Sequence, residues 1–241
     1  MCTVVVLWRP GHAWPLLLAA NRDERTDREW DPPGAHWADR PAVIGGRDRL
    51  AQGSWMTHRA GLFAAVLNRP GSLGPMSGKR SRGELPLLAA ERNSAAGAAD
   101  VIGGLDAAEF RSFNMVLADP DGIWFVRGAG SGQPEVRALD PGLHIVTAHD
   151  PNDPISPRVR THLPRFQAGA APDPARGEWQ GWMRLLGDRS GMRSEAINVP
   201  EEGGFGTVCA SLAAVSEARQ SVWLFAAGPP DRAKFEPVSL P

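Results

Sequence analysis

Cys2-Thr3-Val4-Val5-Val6-Leu7-Trp8, then Pro15-Leu16-Leu17-Leu18-Ala19-Ala20 beyond the turn-forming Arg9-Pro10-Gly11-His12, opens the chain with two near-continuous apolar runs. Runs this short and this apolar read as strands, and unbroken ones imply burial on both faces, as in the inner layers of a sandwich. The residue heading the first run carries chemistry. Cysteine is small enough for an aminopeptidase to remove Met1 before it, and Cys2 would then hold a thiol and a free α-amine together. With ordinary pKa values of about 8.5 and 7.7–8.0, the amine accepts the thiol proton near neutral pH. A cysteine near an N-terminus is otherwise a small apolar residue.

Asn21-Arg22-Asp23-Glu24 follows directly on the second run, which places it at a strand end. If the two runs pair as a hairpin, that end falls near Cys2. Asp23 then accepts a hydrogen bond from the amine or thiol, and Arg22 lowers the thiol pKa by favouring the thiolate. Asn21 and Glu24 flank them as binding candidates. The competing reading is a solvated loop, because Asn21 to Asp31 is dense in charge.

Working outward, 42–45, 54–58 and 61–67 read as short strands, the last two a hairpin around Arg59-Ala60. The segments 84–92 and 95–103 are Ala- and Leu-rich at helical spacing, with Gly103-Gly104 as a stop. Strand character returns at 113–118, 123–127, 135–139 and 143–148. Helices follow at 157–166 and 177–187, and a closing hairpin at 207–215 and 221–227. Trp179 and Trp182 share one helix face as a core stripe. The order predicts an α+β fold, a four-layer αββα sandwich of antiparallel sheets, in a single domain over 1–241.

Composition narrows the function. The 241 residues are 42% hydrophobic and 22% charged with net charge −1, which suits a soluble globular enzyme or binding protein and offers no field for nucleic acid. Basic clusters at Lys79, Arg80 and Arg82, and at Arg158, Arg160 and Arg165, read as solvated faces. Two cysteines, Cys2 and Cys209, make no disulfide framework, and no apolar run approaches the roughly 20 residues of a membrane span. A cytoplasmic location is expected. The six histidines show no metal-ligand spacing with the cysteines, so neither metal nor cofactor is expected. Gly71 to Gly83 fails as a phosphate loop, since Leu73 takes the first glycine position and Arg80 the Ser/Thr position. Gly128 to Gly132 lies between strands and is a turn.

Met1-Cys2, Leu18-Ala19-Ala20-Asn21-Arg22-Asp23-Glu24, Gly45-Gly46-Arg47-Asp48, Gly53-Ser54-Trp55-Met56 and Leu67-Asn68-Arg69 together resemble the NRDE family. That family is also called the transport and Golgi organization protein 2 family. Ser81-Arg82-Gly83-Glu84-Leu85 and Phe113-Asn114-Met115-Val116-Leu117 continue the match. The resemblance implies an N-terminal-nucleophile hydrolase fold, related to penicillin V acylase and bile-salt hydrolase, whose mature N-terminal cysteine cleaves a non-peptide amide. It implies Cys2 as nucleophile, Asp23 as the carboxylate near its amine, and Asn68 as a donor to the oxyanion hole. One such donor is typically worth about 3–4 kcal/mol of transition-state stabilisation.

The chain departs from those hydrolases in three places. Arg22 is adjacent to Asp23 rather than three positions before it. Thr147-Ala148-His149-Asp150 stands where they keep an asparagine, making His149 either a substitute donor or a loop histidine. Val208 follows Gly206-Thr207, where arginine is frequent in the family.

Two functions are compatible with these residues. One is a cysteine amidohydrolase or acyltransferase acting on a small acyl amide or thioester. The other is a non-catalytic carrier for haem, lipid or acyl-CoA on the same scaffold, since one fold hosts many functions. Neither substrate identity nor oligomeric state is encoded legibly.

Overall fold

The computed structural model describes residues 2–241. Its elements, in chain order, are β1 (Thr3–Trp8), β2 (Leu16–Arg25), β3 (Trp30–Gly34), β4 (Ile44–Asp48), β5 (Ser54–Arg59), β6 (Leu62–Asn68), α1 (Glu84–Ala89) and α2 (Ala95–Gly103). There follow β7 (Phe113–Asp119), β8 (Gly122–Gly128), β9 (Glu135–Leu139), β10 (Gly142–Val146), α3 (Pro157–Ala168), α4 (Gln180–Leu186), β11 (Phe205–Val215), β12 (Ser221–Ala226) and β13 (Phe235–Pro237). The chain divides into two compact units, Met1–Asp27 with Gly142–Ser239, and Arg28–Pro141 with Leu240–Pro241. Each unit holds one antiparallel sheet and two α-helices, the α+β composition expected.

In the first unit the sheet order is β10-β1-β2-β11-β12-β13. β1 and β2 form the expected hairpin, from Thr3 opposite Asn21 to Trp8 opposite Leu16. Val4, Val5 and Val6 are all nearly inaccessible, so β1 is buried on both faces, as its unbroken apolar run predicts. Val5, Leu17, Ala19, Leu212 and Ala214 form one core with Val159 and Phe166 of α3 and Trp182 and Leu186 of α4. Trp182 meets Phe166 edge to face, with ring centroids 5.4 Å apart. Truncating such a residue to alanine typically costs about 3–5 kcal/mol. Trp179, at the N-cap of α4, joins the same core, so the tryptophan pair is a packing stripe as read.

β2 corrects the placement of Asn21 to Glu24. These residues lie inside the strand, which continues to Arg25. The reason is β11, whose ladder runs along β2 from Phe205 opposite Arg25 to Val215 opposite Leu16 and provides backbone partners for the polar segment. The solvated-loop reading fails for the same residues: Asn21, Arg22 and Asp23 are all buried.

In the second unit the order is β3-β4-β5-β6-β7-β8-β9. The β5–β6 hairpin turns through Ala60 and Gly61, at φ 49° and 84°, the two positive values that a type I′ turn needs. Leu62, Ala64, Met115, Leu117 and Val126 pack against Leu85 and Ala89 of α1 and Ala95, Ala98, Ala99 and Ile102 of α2. The Ser94 hydroxyl caps α2 by accepting from the Gly97 N–H at 3.1 Å. Two strands escape the sequence reading. β3 holds Pro32 and Pro33, which donate nothing to a ladder, and survives because it is an edge strand; β13, only three residues, is the edge of the other sheet. Gly53 is required by contact. A Cβ there would stand 2.5 Å from the Gly83 carbonyl carbon, across the bond from the Ser54 N–H to the Gly83 carbonyl.

No helix among the described residues is long and apolar enough to cross a membrane.

Candidate active site

β2 is the central ruler of the candidate site. On the face that packs against α3 and α4 it presents Asn21 and Asp23, and Thr3 of β1 lies beside them. Arg22, between those two residues, alternates to the opposite face.

Asp23 is the buried centre. One carboxylate oxygen, Oδ1, accepts from the Thr207 hydroxyl at 2.6 Å. The other, Oδ2, accepts from Nη1 of Arg158 at 3.1 Å, in an ion pair whose side chains are 7% and 0% exposed. The same Nη1 donates to the Thr3 hydroxyl at 2.7 Å. Thr207 reaches Asp23 because the β2–β11 register shifts between Thr207 and Cys209; Thr207 falls opposite Asp23 and Cys209 opposite Arg22. Val208, standing where the family frequently has arginine, lies at that shift.

Cys2 lies one residue before β1 and is half-buried. Its thiol donates to the backbone carbonyl of Asp23 at 3.6 Å, rather than to the carboxylate. Burial raises this thiol above its ordinary value, and the Asp23 charge pushes the same way. Arg22 pulls the thiol down, the direction expected of a nearby guanidinium, and burial outweighs that pull. Arg22 itself lies 3.8 Å from a Glu24 carboxylate oxygen. Cys209 is a core thiol, pushed up to about 12 by burial.

The remaining candidates have distinct settings. Asn21 clamps the end of α4, donating from Nδ2 to the Leu186 and Ile197 carbonyls at 3.0 and 2.9 Å, which satisfies a helix-end acceptor. The carboxylate of Glu24 also accepts from the Arg25 N–H at 2.9 Å. His149 follows β10, and its backbone N–H reaches the Thr147 hydroxyl at 3.4 Å. Asn68 closes β6 in the second unit, half-buried and next to Arg69, which donates to the Asn114 side chain at 2.6 Å. Among the described residues no three His, Cys, Asp or Glu side chains converge to hold a metal ion. A cleft of about 560 Å³ beside Arg165, Pro172, Glu178 and Arg184 contains none of these candidates.

The sequence reading missed Arg158, Thr207 and Thr3. Its neighbours Arg160 and Arg165 make Arg158 read as part of a solvated face, and it is buried. A usable signal existed: Arg158, His162 and Phe166 are four apart, and all three lie on the buried side of α3, whereas Arg160 and Arg165 do not.

The sequence model of the family described as Transport and Golgi organisation 2 matches residues 1–224. The chain belongs to this family. Its fold is that of the Caenorhabditis elegans N-acylethanolamine-hydrolyzing acid amidase ortholog, an N-terminal-nucleophile hydrolase fold. The two superpose with a TM-score of 0.57 over 88% of this chain and 92% of that one, at 12% sequence identity. Among curated proteins no sequence matches.

Proposed function

We propose that this member of the Transport and Golgi organisation 2 family is an N-terminal-cysteine amidohydrolase or acyltransferase. Its substrate is a small non-peptide acyl amide or thioester. The observation that carries the reading is the Cys2 thiol against the main chain of Asp23, on a scaffold shared with an acid amidase.

Loss of Met1 is the enabling step, and it falls on a residue outside those described. The freed α-amine takes the thiol proton, which a neutral buried thiol needs, since burial holds Cys2 protonated at pH 7. Sulfur then attacks the carbonyl carbon, forming a C–S bond while the carbonyl π pair moves to oxygen. Asn68 is assigned the oxyanion on the strength of the family resemblance. Collapse of the tetrahedral adduct expels the amine or thiol, which leaves with the proton from the α-ammonium. Water, or a second nucleophile in transfer, attacks the thioester and restores the thiol.

A second reading is a carrier for haem, lipid or acyl-CoA in which Cys2 takes no part, and the only observation bearing on it is that burial keeps the thiol protonated. One experiment separates the two. Protein from the native host is weighed intact, then incubated with a panel of acyl amides and thioesters beside Cys2→Ala. Loss of Met1 with a burst absent from Cys2→Ala supports the hydrolase. Retained Met1, or turnover that survives the substitution, overturns it.

A further inference from the structure

We infer that Arg158 is a positioning residue, which holds the Asp23 carboxylate and the start of β1 in one fixed relation through a single guanidinium nitrogen. This rests on the reading of Cys2 and Asp23 just proposed. Nη1 of Arg158 donates at once to Thr3 and to Asp23, residues 155 and 135 positions away in sequence. Thr3 is the neighbour of Cys2, and the Asp23 carbonyl is the thiol's acceptor, so both anchors of the nucleophile pass through this contact.

A buried arginine on a buried carboxylate is expensive to desolvate, and apolar pairs of similar volume are often as stable, so the pair is weak evidence for a stabilising role and its geometry carries the assignment. The Thr207 hydroxyl fixes Oδ1, Arg158 fixes Oδ2, and the carboxylate plane has no freedom left to rotate. One nitrogen carrying two N–H bonds serves both acceptors, a task that the ammonium of a lysine can also perform. An amine on Cys2 then meets a carboxylate of set orientation, the near-attack condition on which the proton shuttle depends. Cys2 before β1 feels the Asp23 charge and His162, one turn along α3, feels that of Arg158, while Arg22 on the other face of β2 acts on Cys2 and on Cys209 of β11.

The test compares full-length wild type, Arg158→Gln, Arg158→Lys and Thr3→Val. Each is assayed with the panel of small acyl amides and thioesters and with iodoacetamide, Cys2 alkylation being followed by mass at pH 7.5. Positioning predicts that Arg158→Gln lowers kcat at least tenfold with KM changed less than twofold. Arg158→Lys should recover kcat to within about threefold, and Thr3→Val should lose two- to fivefold in kcat alone. Alkylation in folded Arg158→Gln should slow at least twofold, because the Asp23 charge then acts on the thiol uncompensated. Equal kcat in all four proteins, or a loss carried by KM, overturns the assignment. So does a lysine variant that folds without recovering rate. If Arg158→Gln does not fold, Arg158→Lys and Thr3→Val decide. Should wild type turn over no amide, the proposed function falls, while alkylation still judges Arg158.

Discussion

The Thr207 hydroxyl donates to Asp23 Oδ1 at 2.6 Å and accepts from the Val199 N–H at 2.7 Å. One buried side chain thus ties β11 to β2 on one side and to the segment before β11 on the other. It reaches Asp23 only because the strand register shifts immediately after it.

Thr207→Val should therefore leave both Asp23 and the Val199 N–H short of a partner. A loss of about 1–3 kcal/mol per unsatisfied buried group is expected, seen as a lower urea midpoint at unchanged slope. Thr207→Ser should restore most of it. A valine variant as stable as wild type would show that the hydroxyl is not needed.

Cys2 and Asn68 give a catalytic prediction. Cys2→Ala should abolish burst and turnover, while Asn68→Ala should keep the burst and lower kcat by about 10²–10³, the typical effect of one oxyanion donor. Single-turnover kinetics on an acyl amide distinguish the two. In protein that retains Met1, iodoacetamide should alkylate Cys2 more slowly at pH 7.5 than it does a free cysteine, since burial raises the thiol. Cys209 should remain unmodified until the protein unfolds.

His58 makes stability depend on pH. Burial lowers its pKa from 6.5 to about 4, and its Nε2 accepts from the Gly61 N–H at 3.2 Å, which only the neutral ring can do. Between about pH 6.5 and 4 the unfolded chain binds the proton and the folded one does not. Stability contributed by the neutral ring is thus complete above pH 6.5 and is lost as pH falls toward 4, by up to about 3 kcal/mol. Denaturation curves across that range should slope accordingly, and the slope should flatten in His58→Gln.

Gly53→Ala tests close packing in the second unit. The new methyl would meet the Gly83 backbone, which cannot swing aside as a side chain could. A penalty of about 1–3 kcal/mol is expected from such overpacking, measured as a fall in melting temperature. Gly71→Ala, whose Cβ meets nothing within 4 Å but whose φ is 74°, should cost less, through backbone strain alone.

Local pattern carried much of the architecture. β1, α2 and β9 have the boundaries read from their apolar runs and stop residues, because each is decided by side chains within a few positions. β3 and β13 were illegible, since their prolines and brevity are tolerated only at sheet edges, and edge status belongs to the sheet. The site divides similarly. Cys2 and the Asn21 to Glu24 tetrad stand out by type and spacing, whereas Arg158 sits among look-alike arginines.

By itself, then, the sequence determined the alternation of strands and helices and the residue types near the N-terminus, because periodicity and propensity act over one or two turns. Only the tertiary structure decided that the thiol meets the main chain of Asp23, that Thr207 and Arg158 hold its carboxylate, and that Asn21 closes α4. The first depends on the register of the β1–β2 hairpin, across 21 positions, and the others on the register of β11 against β2 and on which helix faces are buried, through contacts between residues more than a hundred positions apart and beyond the reach of any local pattern.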